Sequence, residues 1–416
     1  MRVLYLHPRS WIGEYAMLKH LRSLGHEVCV LEERRDLPAA RQIADHFAAA
    51  DDGIATFWFN PRRGAERLLT WAFDRYYRKA FDGRNLVHRM WIIAAAARRF
   101  RPDVIIASDG FSYAVPAAFL RRWRLLDAPL IVGFIGGDIL DCPEAAYGRR
   151  RTPATDGLLK SVVRHADRLR PVSPMLTEVL KRDGAESGRI RMIPSHLVFD
   201  EAVIDSVFAA RRELARTIRT RYGIEPDAPL LVTLSWNQKG KGAHILAAAW
   251  PRILAAVPKA RWLLCGPEDP WLARAVWPVL EQAGVRDSVV ATGRLAGRDI
   301  FEHLAAADLH ANPTLCEGLN MVTVEAAAVG TPTICTDGCG IAHWIRGFGA
   351  GAVVPAREAA PLADATIRAL QDSALLSAYS ASSRRMTADF ALDRVAQQLI
   401  SLFEDVARND ATRRRE

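Results

Sequence analysis

The most constraining feature of this chain is an alternation. Short runs of branched apolar residues are separated, along nearly the whole length, by stretches with helical periodicity. That pattern belongs to parallel sheets covered by helices, in which every strand is buried on both faces and every connection crosses over the sheet. In the first half the runs are Val3–Leu6, Glu27–Leu31, Asp103–Ala107, Pro129–Phe134 and Arg191–Ile193. In the second half they are Leu230–Leu234, Trp262–Cys265, Val289–Thr292, Leu309–Asn312, Thr333–Thr336 and Ala352–Val354, with helical segments such as Ala243–Val257 and Met321–Val329 between them.

The chain has 416 residues, and at roughly 150 residues per domain two domains are expected. The fold class is therefore α/β, with two doubly wound domains facing each other across a cleft. The first is read as 1–200 and the second as 229–385. The charged stretch 201–228, which ends in Pro226-Asp227-Ala228, is read as the linker. Residues 386–416 are read as a helix, Phe390–Val406, that returns towards the first domain and is followed by a charged tail. Open α/β sheets bind ligands at the carboxyl ends of their strands, so the site is expected in the cleft.

Composition narrows the ligand. The net charge of +9 favours polyanions such as nucleotide phosphates, nucleic acid or an anionic lipid surface. No apolar run reaches the ~18 residues of a membrane span, and the N-terminal run breaks at His7-Pro8-Arg9, short of the core of a signal peptide. The expectation is a cytoplasmic protein. Its six cysteines form no Cys-x-x-Cys pair, and Cys335, Cys339 and His343 fall on a strand and its loop, where no helical face gathers them around a metal.

The richest segment runs from Asn312 to Pro332. A strand ends at Asn312-Pro313, a polar turn follows, and Gly318 is expected to open a helix that stops at Gly330. The free N–H groups at such a helix start suit a phosphate or a sugar hydroxyl. Glu317 stands in the turn, and Glu325, about two helical turns on, is expected near the same face. Two carboxylates beside a helix N-terminus could hold the hydroxyls of a sugar nucleotide. Equally, Glu325 could be a solvated helix residue and Glu317 a partner of the helix dipole.

The spacing Pro-x-x-x-Glu-Gly-x6-Glu-Ala-x-Ala-x-Gly-Thr-Pro resembles the retaining nucleotide-sugar glycosyltransferases of family 4, which have the GT-B fold of two Rossmann-like domains. Further landmarks follow in the same order from residue 3 to 406. They include Leu24-Gly25-His26, Ala166-Asp167-Arg168, Ile193-Pro194, Lys241-Gly242, Cys265-Gly266-Pro267, Thr292-Gly293-Arg294 and Asp337-Gly338-Cys339-Gly340. The resemblance implies transfer of a sugar from a nucleoside diphosphate sugar to a lipid-linked or saccharide acceptor, in cell-surface polysaccharide or glycolipid synthesis. It gives Glu325 the ribose hydroxyls, Glu317 the transferred sugar, and the N–H groups of Gly318, Leu319, Asn320 and Met321 the sugar hydroxyls and diphosphate. Lys241 would compensate the leaving charge, and Gly266 would lie near the base and ribose. No cofactor and no metal are implied, and no Asp-x-Asp stands near the site.

The chain also departs from the family pattern. Ser235 stands where many members have an arginine, which leaves Lys239 or Arg294 as the second cation. Ile135 stands where many have a histidine, which makes Asp138 or Asp109 the candidate on that side, although either could simply cap a helix. The glycine-rich first loop is reduced to Gly13, with a phosphate N–H or a helix start as its two readings. The rival functions are a non-catalytic GT-B-like binding module, or another GT-B enzyme such as an epimerase or phosphorylase.

The segment 62–101 carries eleven Arg or Lys against Glu66, Asp74 and Asp82, interleaved with Trp71, Phe73, Tyr76, Tyr77, Phe81 and Trp91. An anionic membrane, on whose inner face the protein would sit peripherally, fits this pattern. So does a solvated basic helix with its aromatics turned to the core. Nucleic acid, the third reading, is not expected as a partner.

Overall fold

The computed structural model describes residues 1–6, 12–33, 54–59 and 86–413. The chain divides into two compact units. One is Met1–Asp141 with Gly148–Val198 and Leu392–Glu416, and the other is Cys142–Tyr147 with Phe199–Ala391.

The first unit contains β1 (Arg2–Leu6), β2 (Glu27–Glu33), β3 (Ala55–Phe59), β4 (Val104–Ala107) and β5 (Leu130–Phe134). After a short pair, β6 (Asp141–Cys142) and β7 (Tyr147–Gly148), comes β8 (Arg168–Pro171). The sheet order is β3-β2-β1-β4-β5-β8, parallel throughout. The sixth strand is therefore β8, and the run Arg191–Ile193 is not a strand. That run lies along β8, with the Arg191 N–H on the Leu169 carbonyl (2.9 Å) and the Ile193 N–H on that of Pro171 (3.1 Å). A search for apolar runs misses β8 because it reads Arg-Leu-Arg-Pro. Its Arg170 is buried and donates to the Pro194 carbonyl at 2.7 Å.

The stretch 201–228 is not an extended linker. It forms helices Glu201–Ala209 and Arg211–Arg221 within the second unit. Its charge has a structural use. Arg211 donates to the carbonyls of Ala305, Ala307 and Gly330, and Arg219 donates to that of Ala306 while pairing with Asp308 at 2.9 Å. Carbonyls left open at helix ends are thereby satisfied. The helix Leu392–Arg413 joins the first unit, burying Val395, Leu399, Leu402, Phe403 and Val406 in the core that holds Met17, Leu18 and Leu21.

Of the basic segment, residues 62–85 lie outside the described residues. Its remainder forms the helix Leu86–Phe100, which buries Met90, Ile92, Ile93, Ala96 and Phe100 and exposes Trp91, Arg98 and Arg99. Arg89 faces inward, donating to the Ser112 carbonyl at 2.8 Å beneath the Tyr113 ring. Among the described residues no helix is long and apolar enough to cross a membrane.

The six apolar runs of the second half are the six strands of the second unit. These are β9 (Leu230–Leu234), β10 (Arg261–Cys265), β11 (Val289–Gly293), β12 (Leu309–Asn312), β13 (Thr333–Thr336) and β14 (Gly351–Val354), in the order β11-β10-β9-β12-β13-β14 and all parallel. Trp250 and Trp262 pack together in its core, each with its indole N–H satisfied, by Ser288 (2.7 Å) and Thr233 (2.9 Å) respectively. Strand order reverses between β9 and β12. The loops leaving those neighbouring strands diverge to opposite faces and open a crevice at their carboxyl ends.

Candidate active site

Two loops meet at this crevice. After β9, Ser235 accepts the Asn237 N–H (2.9 Å), and the buried Gln238 amide donates to the Ser235 carbonyl (2.9 Å). Gly242 then starts the helix Ala243–Ala256 at φ 71°, so close to the second loop that a Cβ there would lie 2.0 Å from the Pro313 carbonyl oxygen. The Gly240 carbonyl accepts from the Leu315 N–H (3.0 Å) and the Thr314 hydroxyl (3.2 Å). The loops are thus locked together, and Lys241 and Glu317 are held as an ion pair, about one-fifth exposed on each side.

Of the two starts the sequence offers, Gly318 and Met321, the helix after β12 takes the second and runs Met321–Ala328. Asn320, at φ 84°, caps it by accepting the Thr323 N–H at 2.8 Å. Gly318 and Leu319 lead into that cap and are not part of the helix. Glu317 bridges to Cys339, with its N–H on the Gly338 carbonyl (2.9 Å) and its carbonyl taking the Gly340 N–H (3.0 Å). Glu317 and Glu325 therefore do not share a helical face, because only Glu325 is on the helix. Among the described residues the N–H groups of Gly318, Leu319, Asn320 and Met321 have no acceptor, so they remain available to an anion or hydroxyl.

Glu325 is half-buried. Burial pushes its carboxyl up to about 7, against the opposing pull of the Lys241 charge. Gly266, at the end of β10, has φ 153°, and a Cβ there would collide with the Ser235 carbonyl oxygen at 1.9 Å, so only glycine lets the first loop pack here. Lys239 is half-buried beside His244, and Arg294 is exposed after β11. Among the described residues no carboxylate pairs with either. Nearby, the buried Cys339 thiol donates to the Leu319 carbonyl (3.1 Å). Among the described residues no cluster of three His, Cys, Asp or Glu is arranged to hold a metal.

The remaining two candidates lie in the first unit. Gly13 is the second residue of the helix Ile12–Ser23. Asp138 is only 4% exposed, and its carboxylate takes the N–H groups of Gly110 (2.7 Å), Gly136 (2.8 Å) and Ile135 (3.1 Å). Burial and then the neighbouring Asp109 push its carboxyl up to about 6, against the pull of those three N–H groups. Asp138 braces the loops after β4 and β5, with both of its oxygens engaged by backbone N–H groups. Asn312, which the sequence reading passed over, is the buried last residue of β12 and bonds to Asn320 at 3.2 Å. A polar residue ending a switch-point strand was the available signal.

Comparisons with known proteins identify the family. The family profile described as "Glycosyl transferase 4-like domain" matches residues 15–196, and that described as "Glycosyl transferases group 1" matches residues 228–372. The chain belongs to the family 4-like GT-B glycosyltransferases. It is 25% identical over 352 residues to a protein of Salmonella typhimurium named as the colanic acid biosynthesis glycosyltransferase WcaL, spanning 82% of this chain and 80% of that one. It is 32% identical over 210 residues to a GDP-mannose-dependent phosphatidylinositol monomannoside mannosyltransferase of Mycobacterium tuberculosis, spanning 48% of this chain and 53% of that one. Among solved structures, Anabaena HepE in complex with UDP superposes with a TM-score of 0.73 at 17% identity, over 97% of this chain and all of that one.

Proposed function

We propose that this glycosyltransferase moves a sugar from a nucleoside diphosphate sugar to a lipid-linked or saccharide acceptor, with retention of configuration. One observation carries the reading: a carboxylate fixed by a cation and an amide, next to unoccupied backbone N–H groups, at the switch point of the second sheet. In this role Glu317 takes hydroxyls of the transferred sugar, Glu325 takes the ribose, and the N–H groups from Gly318 to Met321 face the diphosphate and sugar. Gly266 and Ser235 shape the base side. Lys239 or Arg294 supplies a second positive charge.

The chemistry balances without a protein nucleophile. The bond from the anomeric carbon to the diphosphate oxygen breaks, a bond from the acceptor oxygen forms on the same face, and the acceptor proton passes to the departing phosphate. Lys241 stabilises the growing negative charge, a task suited to a fixed cation already in place. Uridine is the first base to test, because a neighbour of the same fold was solved with UDP. The mannosyltransferase relative, named for a phosphatidylinositol acceptor, and the exposed Trp91, Arg98 and Arg99 support a lipid-linked acceptor reached at an anionic membrane surface.

The test is a panel of UDP-, GDP- and ADP-sugars, scored by thermal shift and by turnover. Stabilisation by at least one donor, and release of its nucleoside diphosphate, are expected. No stabilisation by any donor would reject the reading.

A further inference from the structure

The contacts that hold Glu317 have a direction. The Thr323 N–H can bond only to an acceptor, so the oxygen of the Asn320 amide faces the helix (2.8 Å) and its nitrogen faces the other way. That nitrogen donates to Glu317 Oε2 at 2.6 Å and to Asn312 Oδ1 at 3.2 Å. With its oxygen so engaged, Asn312 turns its own nitrogen to the Thr323 hydroxyl at 3.4 Å and to the Cys339 sulfur at 3.7 Å. Asn312, Asn320 and Thr323 are at most 4% exposed. Asn312 is also a ladder residue, paired with Cys335 of β13, so one end of the chain of amides is anchored in the sheet.

Lys241 contacts the same Oε2. Both restraints fall on one oxygen, and among the described residues Oε1 has no partner.

We propose that Asn312 and Asn320 are positioning residues, a relay that ties the Glu317 carboxylate to the sheet and turns Oε1 towards the donor sugar. This rests on the reading of Glu317 as the ligand of the transferred sugar. The relay also explains why a left-handed residue at the helix start is asparagine. Glycine would accept φ 84° more readily, but only a carboxamide caps the helix with its oxygen while holding a carboxylate with its nitrogen. Its effect belongs to the sugar and not to the nucleotide.

The test compares Asn320→Gly, Asn312→Leu, Asn320→Asp and Glu317→Ala in the full chain, reading kcat with the best donor of the panel and affinity for the bare nucleoside diphosphate. Asn320→Gly relieves the backbone and keeps an acceptable cap, and Asn312→Leu keeps the branched side-chain skeleton while removing its polar atoms, so a melting curve of each variant accompanies the kinetics. Both are expected to lower kcat by about 10- to 100-fold, the range seen when an outer partner that orients a ligand is removed. Affinity for the bare nucleoside diphosphate should stay within about threefold, because both substitutions remove side-chain bonds to Glu317 and keep every backbone N–H from Gly318 to Met321. Asn320→Asp sets a second carboxylate against Glu317. One of the two must then hold a proton, so its kcat should recover as pH falls, a shift that general loosening would not give.

Wild-type kcat in both Asn320→Gly and Asn312→Leu, alongside a large loss in Glu317→Ala, would overturn the relay alone. Wild-type kcat in Glu317→Ala would overturn the reading beneath it. Parallel losses of kcat and nucleoside diphosphate affinity in the relay variants would make them structural residues and would also end the proposal.

Discussion

The two sheets share one strand order, yet their carboxyl ends are used differently. In the first unit the buried carboxylate at this end, Asp138, takes N–H groups from Gly110, Ile135 and Gly136 and ties two loops together. In the second, Glu317 is restrained by side chains, Lys241 and Asn320, while the N–H groups that follow it have no acceptor among the described residues. A carboxylate that has taken up the backbone amides stabilises its loop. One that leaves them free leaves a place for a ligand.

The largest test of this contrast is Lys241→Ala. Turnover should fall by about 10²- to 10³-fold as a fixed charge is lost from the transition state, while stability changes by about 1 kcal/mol or less, as for a partly exposed pair. Steady-state kinetics and a melting curve measure both. Equal activity in mutant and wild type would move the cation to Lys239.

Asp138→Ala should do the reverse. Three N–H groups, two of them buried, lose their acceptor, so stability should fall by about 1–3 kcal/mol, with turnover per folded molecule unchanged. An unchanged melting temperature with lost turnover would return Asp138 to the active site.

Glu325 sharpens the comparison from within the second unit, since its raised carboxyl has no backbone brace like that of Asp138. Glu325→Ala should weaken nucleoside diphosphate binding by about 1.5–3 kcal/mol if the ribose loses a charged acceptor. The pH dependence has a definite sign. In the ligand-free fold the carboxyl keeps its proton to about 7, above the ordinary value of 4.5, so the native state binds more protons than the unfolded chain between those values. This group therefore lowers stability as pH rises through that window. Glu325→Gln should melt higher than wild type at pH 8, and the difference should vanish towards pH 4. A constant difference across the range would remove Glu325 from the desolvated crevice.

The smallest expected effect is that of EDTA. If Lys241 and the N–H groups at the helix start are the groups that meet the diphosphate, activity should be unchanged by chelation. A loss restored by added magnesium or manganese would break the reading of the crevice as sufficient in itself.

Where the chain repeats a single physical signal, sequence was enough. The six strands of the second sheet are short runs between helical segments, and each was legible from its own residues. The signal failed where polar residues do interior work. β8 hides behind Arg168 and Arg170, and the arginines of helix Arg211–Arg221 look solvated until the helix ends they cap are in place.

What the sequence determined alone was the class of fold. Only the tertiary structure decided what surrounds each candidate side chain. It set Asp138 to bracing by surrounding it with N–H groups from two loops, and it started the helix at Met321 by placing Asn320 in the left-handed region. It also joined Asn312, Asn320 and Glu317 into one directed set of bonds. A residue's chemistry is fixed by its side chain, but whether a carboxylate is free to bind a ligand depends on which donors the rest of the chain brings within about 3 Å of it, and those donors come from other elements of the fold.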